Sequence, residues 1–325
     1  MMKILVILMC GLWLALNAFA QEQTILLIES YHEDFEWDVS YKKGIQDILG
    51  SAYRLETFQM DTKRLPAEEH QAKADEAWAA YQRLNPALVF LGDDAALKFL
   101  GARFAETTTP VVYLGINANP RTYLPKGAKN ITGVLERPLY VRSILMLKQI
   151  LPLKKVLVLF DTDRTSEVIL SDVFEGKTEF TTAQVQGDVK LVKGWDEWQQ
   201  EVLNAKGQYD ALFVGLYQTI VAQDGRHLPD SEVIAWTAAN APIPLFGFWD
   251  FAVGANKTIG GLVLSGEEHG RLAAEIALNI FAGKNPGQMQ PETTRSGQLL
   301  FSRKQLEKYQ LTLPPEVAAK AKFVE

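Results

Sequence analysis

The chain has 325 residues, enough for two domains of ordinary size, and its 47% apolar and 22% charged content is that of a globular protein rather than a disordered one. A formal charge of −6, with no basic cluster, makes nucleic acid a poor partner. The single cysteine, Cys10, excludes an intrachain disulfide and a cysteine metal site.

Residues 1–20 read as a secretory leader. Met1-Met2-Lys3 is a basic start, residues 4–16 are almost wholly apolar, and Ala18-Phe19-Ala20 places small residues at −3 and −1 of a cut before Gln21. A membrane anchor fits less well, because the run is short for a span and a cleavage site follows it. A lipid on Cys10 is disfavoured by Met9, which stands where a small residue would be expected. The expected product starts at Gln21 in the periplasm and carries no cysteine. No later stretch is long and apolar enough to cross a membrane.

Residues 25–28 are a continuous apolar run, which predicts a strand buried on both faces. Glu29-Ser30 ends it. The loop 30–37 is loaded with hydroxyl, imidazole and aromatic groups, and Tyr41, Ile45, Ile48 and Leu49 then recur at helical spacing. A second strand is expected over 53–60, followed by a polar loop 61–66 and a helix carrying Ala74, Trp78, Tyr81 and Leu84. A third strand over 87–91 ends at Gly92-Asp93-Asp94, with a short helix over 95–104. A fourth, 110–116, ends at Asn117-Ala118-Asn119-Pro120, and a fifth spans 130–136. The helix from Pro138 shows Tyr140, Ile144, Leu147 and Leu151 on one stripe. Then come a strand over 155–160, a polar turn 161–166, a helix to about 175, a strand over 183–192 and a helix over 195–203. The strand 211–216 ends at Tyr217, a helix covers 231–239, the strand 244–248 ends at Trp249-Asp250, and 261–264 is the last core strand. The helix 267–281 carries Leu272, Ile276 and Ile280, with Gly283 and Pro286 as stop signals. Alternating strands and helices argue parallel sheets. The series runs twice, once before about 136 and again from 155, which suggests two lobes with their strand-end loops facing one cleft.

Asn130-Ile131-Thr132-Gly133-Val134 resembles the corresponding stretch of the periplasmic substrate-binding proteins of ABC transporters that have the type I binding-protein fold. So do Pro110-Val111-Val112-Tyr113-Leu114-Gly115-Ile116-Asn117, Ile243-Pro244-Leu245-Phe246, His269-Gly270-Arg271-Leu272-Ala273-Ala274 and Gly283-Lys284-Asn285-Pro286. Ser30-Tyr31-His32, Trp37, Gly44 and Met60-Asp61-Thr62-Lys63-Arg64 look closer to a subgroup used as sensor domains. The resemblance covers essentially all of the mature chain and rests on the order and spacing of short motifs. It implies an α/β fold of two similar Rossmann-like lobes joined by a three-segment hinge, with crossovers near Glu136, Ser265 and Pro291. Lobe one would be 21–136 plus 265–290, and lobe two 137–264 plus 291–325.

The strand ends supply the candidate ligand-binding residues. Lobe one offers Ser30, Tyr31, His32, Trp37, Asp61, Asp93, Asn117 and Asn119, with Lys63 and Asp94 beside them. Lobe two offers Asp161, Thr165, Ser166, Tyr217, Trp249 and Asp250. Several have plainer readings. Trp37 sits on the apolar stripe of its helix, His32 can bond a backbone carbonyl, and Asp61 can pair with Arg64. Thr165 or Ser166 can cap a helix, which still leaves helix N–H groups for an anion. Trp249-Asp250 places an aromatic face beside a carboxylate, a pair suited to a cation or a hydroxyl-rich ring. Enzyme patterns are missing: there is no His-x-x-x-His pair, no Gly-x-Ser-x-Gly elbow and no phosphate loop.

The expectation is therefore a periplasmic, monomeric solute-binding protein that uses no cofactor and no metal. Its ligand would be a small molecule such as an aromatic amino acid or a sugar-like ring, presented to an ABC permease. The alternative is a ligand sensor feeding a separate membrane-bound kinase or cyclase. A periplasmic hydrolase is the remote third reading.

Overall fold

The structure is a computed structural model that describes residues 23–294 and 296–325. The leader over 1–20 and the cut before Gln21 lie outside the described residues.

The first half builds β1 (Gln23–Glu29), α1 (Glu36–Leu49), β2 (Tyr53–Gln59), α2 (His70–Leu84), β3 (Leu88–Gly92), α3 (Asp93–Ala105), β4 (Val111–Ile116) and β5 (Ile131–Leu135). The second half builds α4 (Tyr140–Leu147), β6 (Lys155–Phe160), α5 (Arg164–Asp172), β7 (Glu179–Thr182), β8 (Val185–Leu191), α6 (Trp195–Asn204), β9 (Ala211–Val214), α7 (Asp230–Asn240), β10 (Leu245–Gly247) and β11 (Gly260–Val263). After these come α8 (Gly266–Phe281), β12 (Glu292–Thr293), β13 (Gln298–Ser302), α9 (Arg303–Lys308), α10 (Pro315–Ala318) and β14 (Lys322–Val324).

One sheet has the order β12-β5-β4-β3-β1-β2 and is parallel throughout. Its inner strands are apolar on both faces because helices cover both, and Ile25, Leu26, Leu27 and Ile28 are fully buried. The second sheet, β10-β9-β6-β8-β7, is parallel except at its β7 edge. A third sheet, β11-β13-β14, is made from the end of the second half and the C-terminal tail. This is a mixed α/β fold with two lobes. β12 returns to pair with β5 in the first sheet, whereas β13 and β14 join β11 in the third.

Two local expectations need correction. The strand expected over 183–192 is present as β8, but it starts at Val185 and is the second arm of a hairpin whose first arm, β7, was not expected; the turn is at Ala183 and Gln184, with φ of 50° and 64°. Neither residue is a usual turn former, so the sequence carries no punctuation there. The β7–β8 pairing is close: a Cβ on Gly187 would sit 2.0 Å from the Phe180 ring. The helix expected over 95–104 starts earlier, at Asp93, whose φ is 66°. Left-handed backbone at a non-glycine residue is a local strain.

Helices α1 and α8 lie in backbone contact. A Cβ on Gly44 would meet the Glu267 carbonyl oxygen at 2.1 Å, and one on Gly270 would meet that of Tyr41 at 1.9 Å. Side chains there would hold the helices apart, and interhelical spacing follows the residues at the contact. We expect Gly270→Ala to destabilise the protein by about 1–3 kcal/mol, the range for overpacking. Gly254→Ala, where the new methyl would meet nothing closer than the Lys257 side chain at an ordinary 3.6 Å, serves as the control. Denaturant unfolding of the two variants checks this; equal midpoints would mean that the helices can separate without cost.

Candidate ligand-binding cleft

The loop after β1 is held from below. The Ser30 hydroxyl donates to the Gly92 carbonyl at 2.5 Å and accepts from the Ala96 N–H at 2.8 Å, which ties β1 to the start of α3. The next residue, Tyr31, is thereby set at the seam between the lobes, where its hydroxyl lies 3.4 Å from Thr165 Oγ1 on α5. Four residues on, Phe35 forms the N-terminal boundary of α1 and Trp37 enters its first turn. Trp37 is buried against His269 of α8, with ring centroids 5.1 Å apart, and against Phe251 at 6.4 Å.

These side chains enclose a small interlobe cavity. From lobe one it is lined by Tyr31, Phe35, Trp37, Lys63, Asp93, Asn117 and Glu136, and from lobe two by Thr165, Leu216, Trp249 and Phe251. It takes in about 270 Å³ between atoms, of which about 20 Å³ admits the centre of a water molecule. The lobes are thus closed on each other. An ion pair latches the outer side: Lys63 Nζ lies 2.6 Å from Asp163 Oδ2, and the lysine is 6% exposed. Lys257 and Glu36 pair at 2.6 Å on the opposite side. Beyond the first latch a hollow of about 590 Å³ opens to solvent, with Lys98, Arg164, Lys193 and His227 on its walls.

Trp249 at the end of β10 donates its indole N–H to Glu136 Oε1 at 2.6 Å, joining the lobes across the first crossover. Three other buried atoms on the cavity wall have no hydrogen-bond partner among the described residues: Trp37 Nε1, Asp93 Oδ2 and Asn117 Oδ1. Buried polar groups in folded proteins are nearly always satisfied, so such a cluster calls for an explanation. Asp94, next to Asp93, is satisfied, accepting from the N–H groups of Asn117 and Ala118 at 2.9 and 3.1 Å.

Of the residues singled out from sequence, Tyr31, Trp37, Asp93, Asn117, Thr165 and Trp249 reach this cavity, as does Lys63. The others sit elsewhere. Ser30 bonds within lobe one. Asp161 accepts from the Ser166 hydroxyl at 2.6 Å and the Thr219 N–H at 3.0 Å, so both Asp161 and Ser166 brace the turn into α5. Asp61 pairs bidentately with Arg64 at 2.7 and 2.9 Å and lies 3.7 Å from His32. Asn119 accepts from the Arg121 N–H in a short surface turn. Tyr217 is buried behind Phe251. Asp250 faces the hinge, where its Oδ2 accepts from the Gly266 N–H at 3.2 Å at the start of α8. Phe35, Glu136, Leu216 and Phe251 line the cavity but were not anticipated. Phe35 and Phe251 carried a usable signal, as aromatic neighbours of Trp37 and Trp249. Glu136 was marked only as the place of the first crossover, with nothing to show that its side chain lines the cavity.

Burial dominates the electrostatics. It raises the Glu136 carboxyl to about 8, with the Trp249 N–H opposing the shift. It holds Asp93 well above the carboxylate range, and the charges of Asp38 and Glu136 push the same way. Asp38 behaves likewise, through burial and then Glu29. Burial also lowers His269 to about 4 and raises Asp250 to about 6. At the latch burial works against both charges, yet the attraction wins: Lys63 is raised and Asp163 is lowered. Among the described residues no group of three or more His, Cys, Asp or Glu side chains could hold a metal ion.

Two outcomes are expected. Asp163→Asn keeps a side-chain oxygen for the Arg164 N–H, which Asp163 caps at 2.7 Å, but leaves Lys63 buried and unpaired. Stranding one partner of a buried pair costs about 3–5 kcal/mol, so this variant should open the lobes and raise the radius of gyration in small-angle scattering. An unchanged profile would assign closure to the aromatic contacts alone. The second outcome concerns pH. Glu136 keeps its proton in the folded protein up to about 8, against an ordinary 4.5. Its contribution to stability is therefore complete below 4.5 and is lost as pH rises toward 8. Glu136→Gln should flatten this decline in denaturant melts run from pH 5 to 9, whereas an identical slope would place the titration on Asp93 or Asp38.

A profile of the family described as ABC transporter substrate binding protein matches residues 97–325. No curated protein compared with the chain matches it. Among solved structures, the chain is similar to an ABC domain from Streptococcus pneumonia in complex with L-Trp, with a TM-score of 0.66 at 17% identity, covering 94% of this chain and 100% of that one. A conserved domain protein from Vibrio cholerae gives the same figures: 0.66, 17%, 94% and 100%. A substrate-binding protein with adhesive properties from Clostridium difficile, in a ligand-free, open structure, follows at 0.64 and 14%, with 93% and 99% covered. At these identities the likenesses speak for the fold, that of the type I periplasmic binding proteins. The family match spans more than two thirds of the sequence, and on that basis the chain belongs to the ABC transporter substrate-binding protein family.

Proposed function

We propose that this protein is an exported solute-binding protein whose two lobes close over a small ring-bearing molecule and present it to an ABC permease. The observation that carries this reading is the interlobe cavity, walled by aromatic residues from both lobes and holding unpartnered buried polar atoms. Binding sites for small molecules combine apolar walls with a few convergent polar groups in this way. The work is binding and hinge motion rather than chemistry.

The cavity has room for about one water, so a ligand requires the lobes to part. One lobe would hold it first, and closure would add the second set of contacts. Two relatives support this cycle. The structure from Clostridium difficile is open, and the structure from Streptococcus pneumonia holds L-Trp, a ligand with an aromatic ring. Export is part of the proposal and rests on the leader over 1–20; N-terminal sequencing of secreted protein should begin at Gln21.

Native mass spectrometry of freshly purified protein should show a co-purified small molecule. Trp37→Ala should then reduce affinity for it at least tenfold, because Trp37 forms part of the cavity wall. Trp78→Ala should leave affinity unchanged, since Trp78 packs on Phe104 and Tyr81 at the far side of lobe one. Both are measured by calorimetry on variants shown to be folded. Equal losses, or no loss at Trp37, would remove the cavity from the function.

A further inference from the structure

We propose that the charged group which this cleft takes from its ligand is a protonated amine, seated between Asp93 and Glu136 under the rings of Tyr31, Trp37 and Trp249, and that a ligand carboxylate is dispensable. The inference rests on the solute-binding reading above and names the chemical class of the solute.

The argument starts from the cavity wall. It presents two carboxyl groups, Asp93 and Glu136, and among the described residues that line it Lys63 is the one cation. That lysine is already committed: it pairs with Asp163 at 2.6 Å and lies over the Tyr31 ring at 4.5 Å. A ligand carboxylate would find no free cation there. Two of the three unpartnered wall atoms, Asp93 Oδ2 and Asn117 Oδ1, are acceptors on nearly fully buried residues. An ammonium group carries three donors and no acceptor, which matches that set. The remaining walls are aromatic faces, and a desolvated cation is attracted to such faces.

The surroundings keep the balance negative. Asp38 on α1 and Asp94 on α3 face Asp93 from behind, and Lys63 faces it from the loop after β2. Glu136 is faced by Asp94 and by Arg137. The Arg137 guanidinium is spent on backbone carbonyls, donating to Ile116 and Asn117 at 2.9 and 2.8 Å and to Glu136 at 2.5 Å. Burial favours the protonated forms of Asp93 and Glu136, and the neighbouring Lys63 and Arg137, each bonded elsewhere, offset it only in part, so neither acid has a counter-charge of its own. An arriving ammonium supplies that counter-charge, so the acids ionise and protons leave to the buffer. Amine binding should therefore strengthen as pH rises toward 8 and weaken again only as the amine itself deprotonates, at about 10.

The test is calorimetry on the full secreted chain with matched probes: tyramine and tryptamine, tyrosine and tryptophan, and the amine-free acids 3-(4-hydroxyphenyl)propionate and indole-3-propionate. At least one amine should bind within tenfold of its amino acid, and its amine-free acid at least a hundredfold more weakly. The amine's affinity should rise at least threefold from pH 6.5 to 8. Its binding heat in phosphate and in Tris should differ by the sign that proton release demands. That measurement needs no variant, so a fold defect cannot confuse it. Asp93→Asn and Glu136→Gln should each weaken amine binding at least tenfold, and Glu136→Gln should reduce the proton release.

Tight binding of an amine-free acid, an absolute need for the carboxylate, or heats independent of buffer would each overturn the proposal. If no probe binds but native mass spectrometry shows another class of solute, the amine assignment falls and the solute-binding reading stands. If no probe binds and no solute co-purifies, both fall.

Discussion

The backbone contact between α1 and α8 is the constraint on which the rest of the cleft depends. α8 begins at Gly266, immediately after the second crossover, and α1 carries Trp37 in its first turn. Because Gly44 and Gly270 present no side chains, the two helices meet at their main chains. Trp37 can then lie on His269, and the loop 30–36 is delivered to the seam. A bulkier contact would move the loop outward and carry Tyr31 and Phe35 away from Thr165 and Phe251. A packing detail outside the cleft thus sets the position of its most aromatic wall.

The second organising feature is the placing of carboxyl groups where water is excluded. Asp38, Asp93 and Glu136 are all buried, and each would be costly to ionise there without a counter-charge. The Lys63–Asp163 latch brings opposite charges together on one side of the seam and Lys257–Glu36 on the other. The seam is therefore two environments in one. Its outer part is held by an ion pair, and its inner part by rings and by acids whose burial favours the protonated form. Opening the lobes admits water to both, which relaxes the acids and weakens the pair.

The cleft also shows why strand-end residues divide into two groups. Ser30, Asp161, Ser166 and Asp94 occupy the expected loops, yet they are spent on local partners: Ser30 donates to the Gly92 carbonyl, Ser166 donates to Asp161, and Asp161 and Asp94 accept from the N–H groups of Thr219 and Asn117. They shape the loops that carry the wall residues. Trp249 and Asp250 are adjacent in sequence, but the turn after β10 sends the indole to Glu136 and the carboxylate to the start of α8.

Much of the fold was legible in the sequence. Continuous apolar runs such as 25–28 identified the buried strands, and helical spacing from Tyr41 to Leu49 identified α1, because burial on two faces or on one stripe leaves a direct pattern of residue types. The same reasoning found Tyr31, Trp37, Asp93, Asn117, Thr165 and Trp249, since strand-end loops in an α/β lobe face the crevice. The β7–β8 turn escaped, for Ala183 and Gln184 take left-handed backbone without the usual residues. The C-terminal strands escaped as well, being short and half exposed. What the sequence determined by itself was which segments are strands and helices and which loops carry polar and aromatic groups, because local periodicity and composition dictate those. Only the tertiary structure decided that Glu136 meets Trp249 across 113 positions, that Lys63 meets Asp163 across 100, and that Asp93 is left with an unpartnered oxygen. Those pairings depend on how two lobes dock, and no local pattern of residues encodes the distance between them.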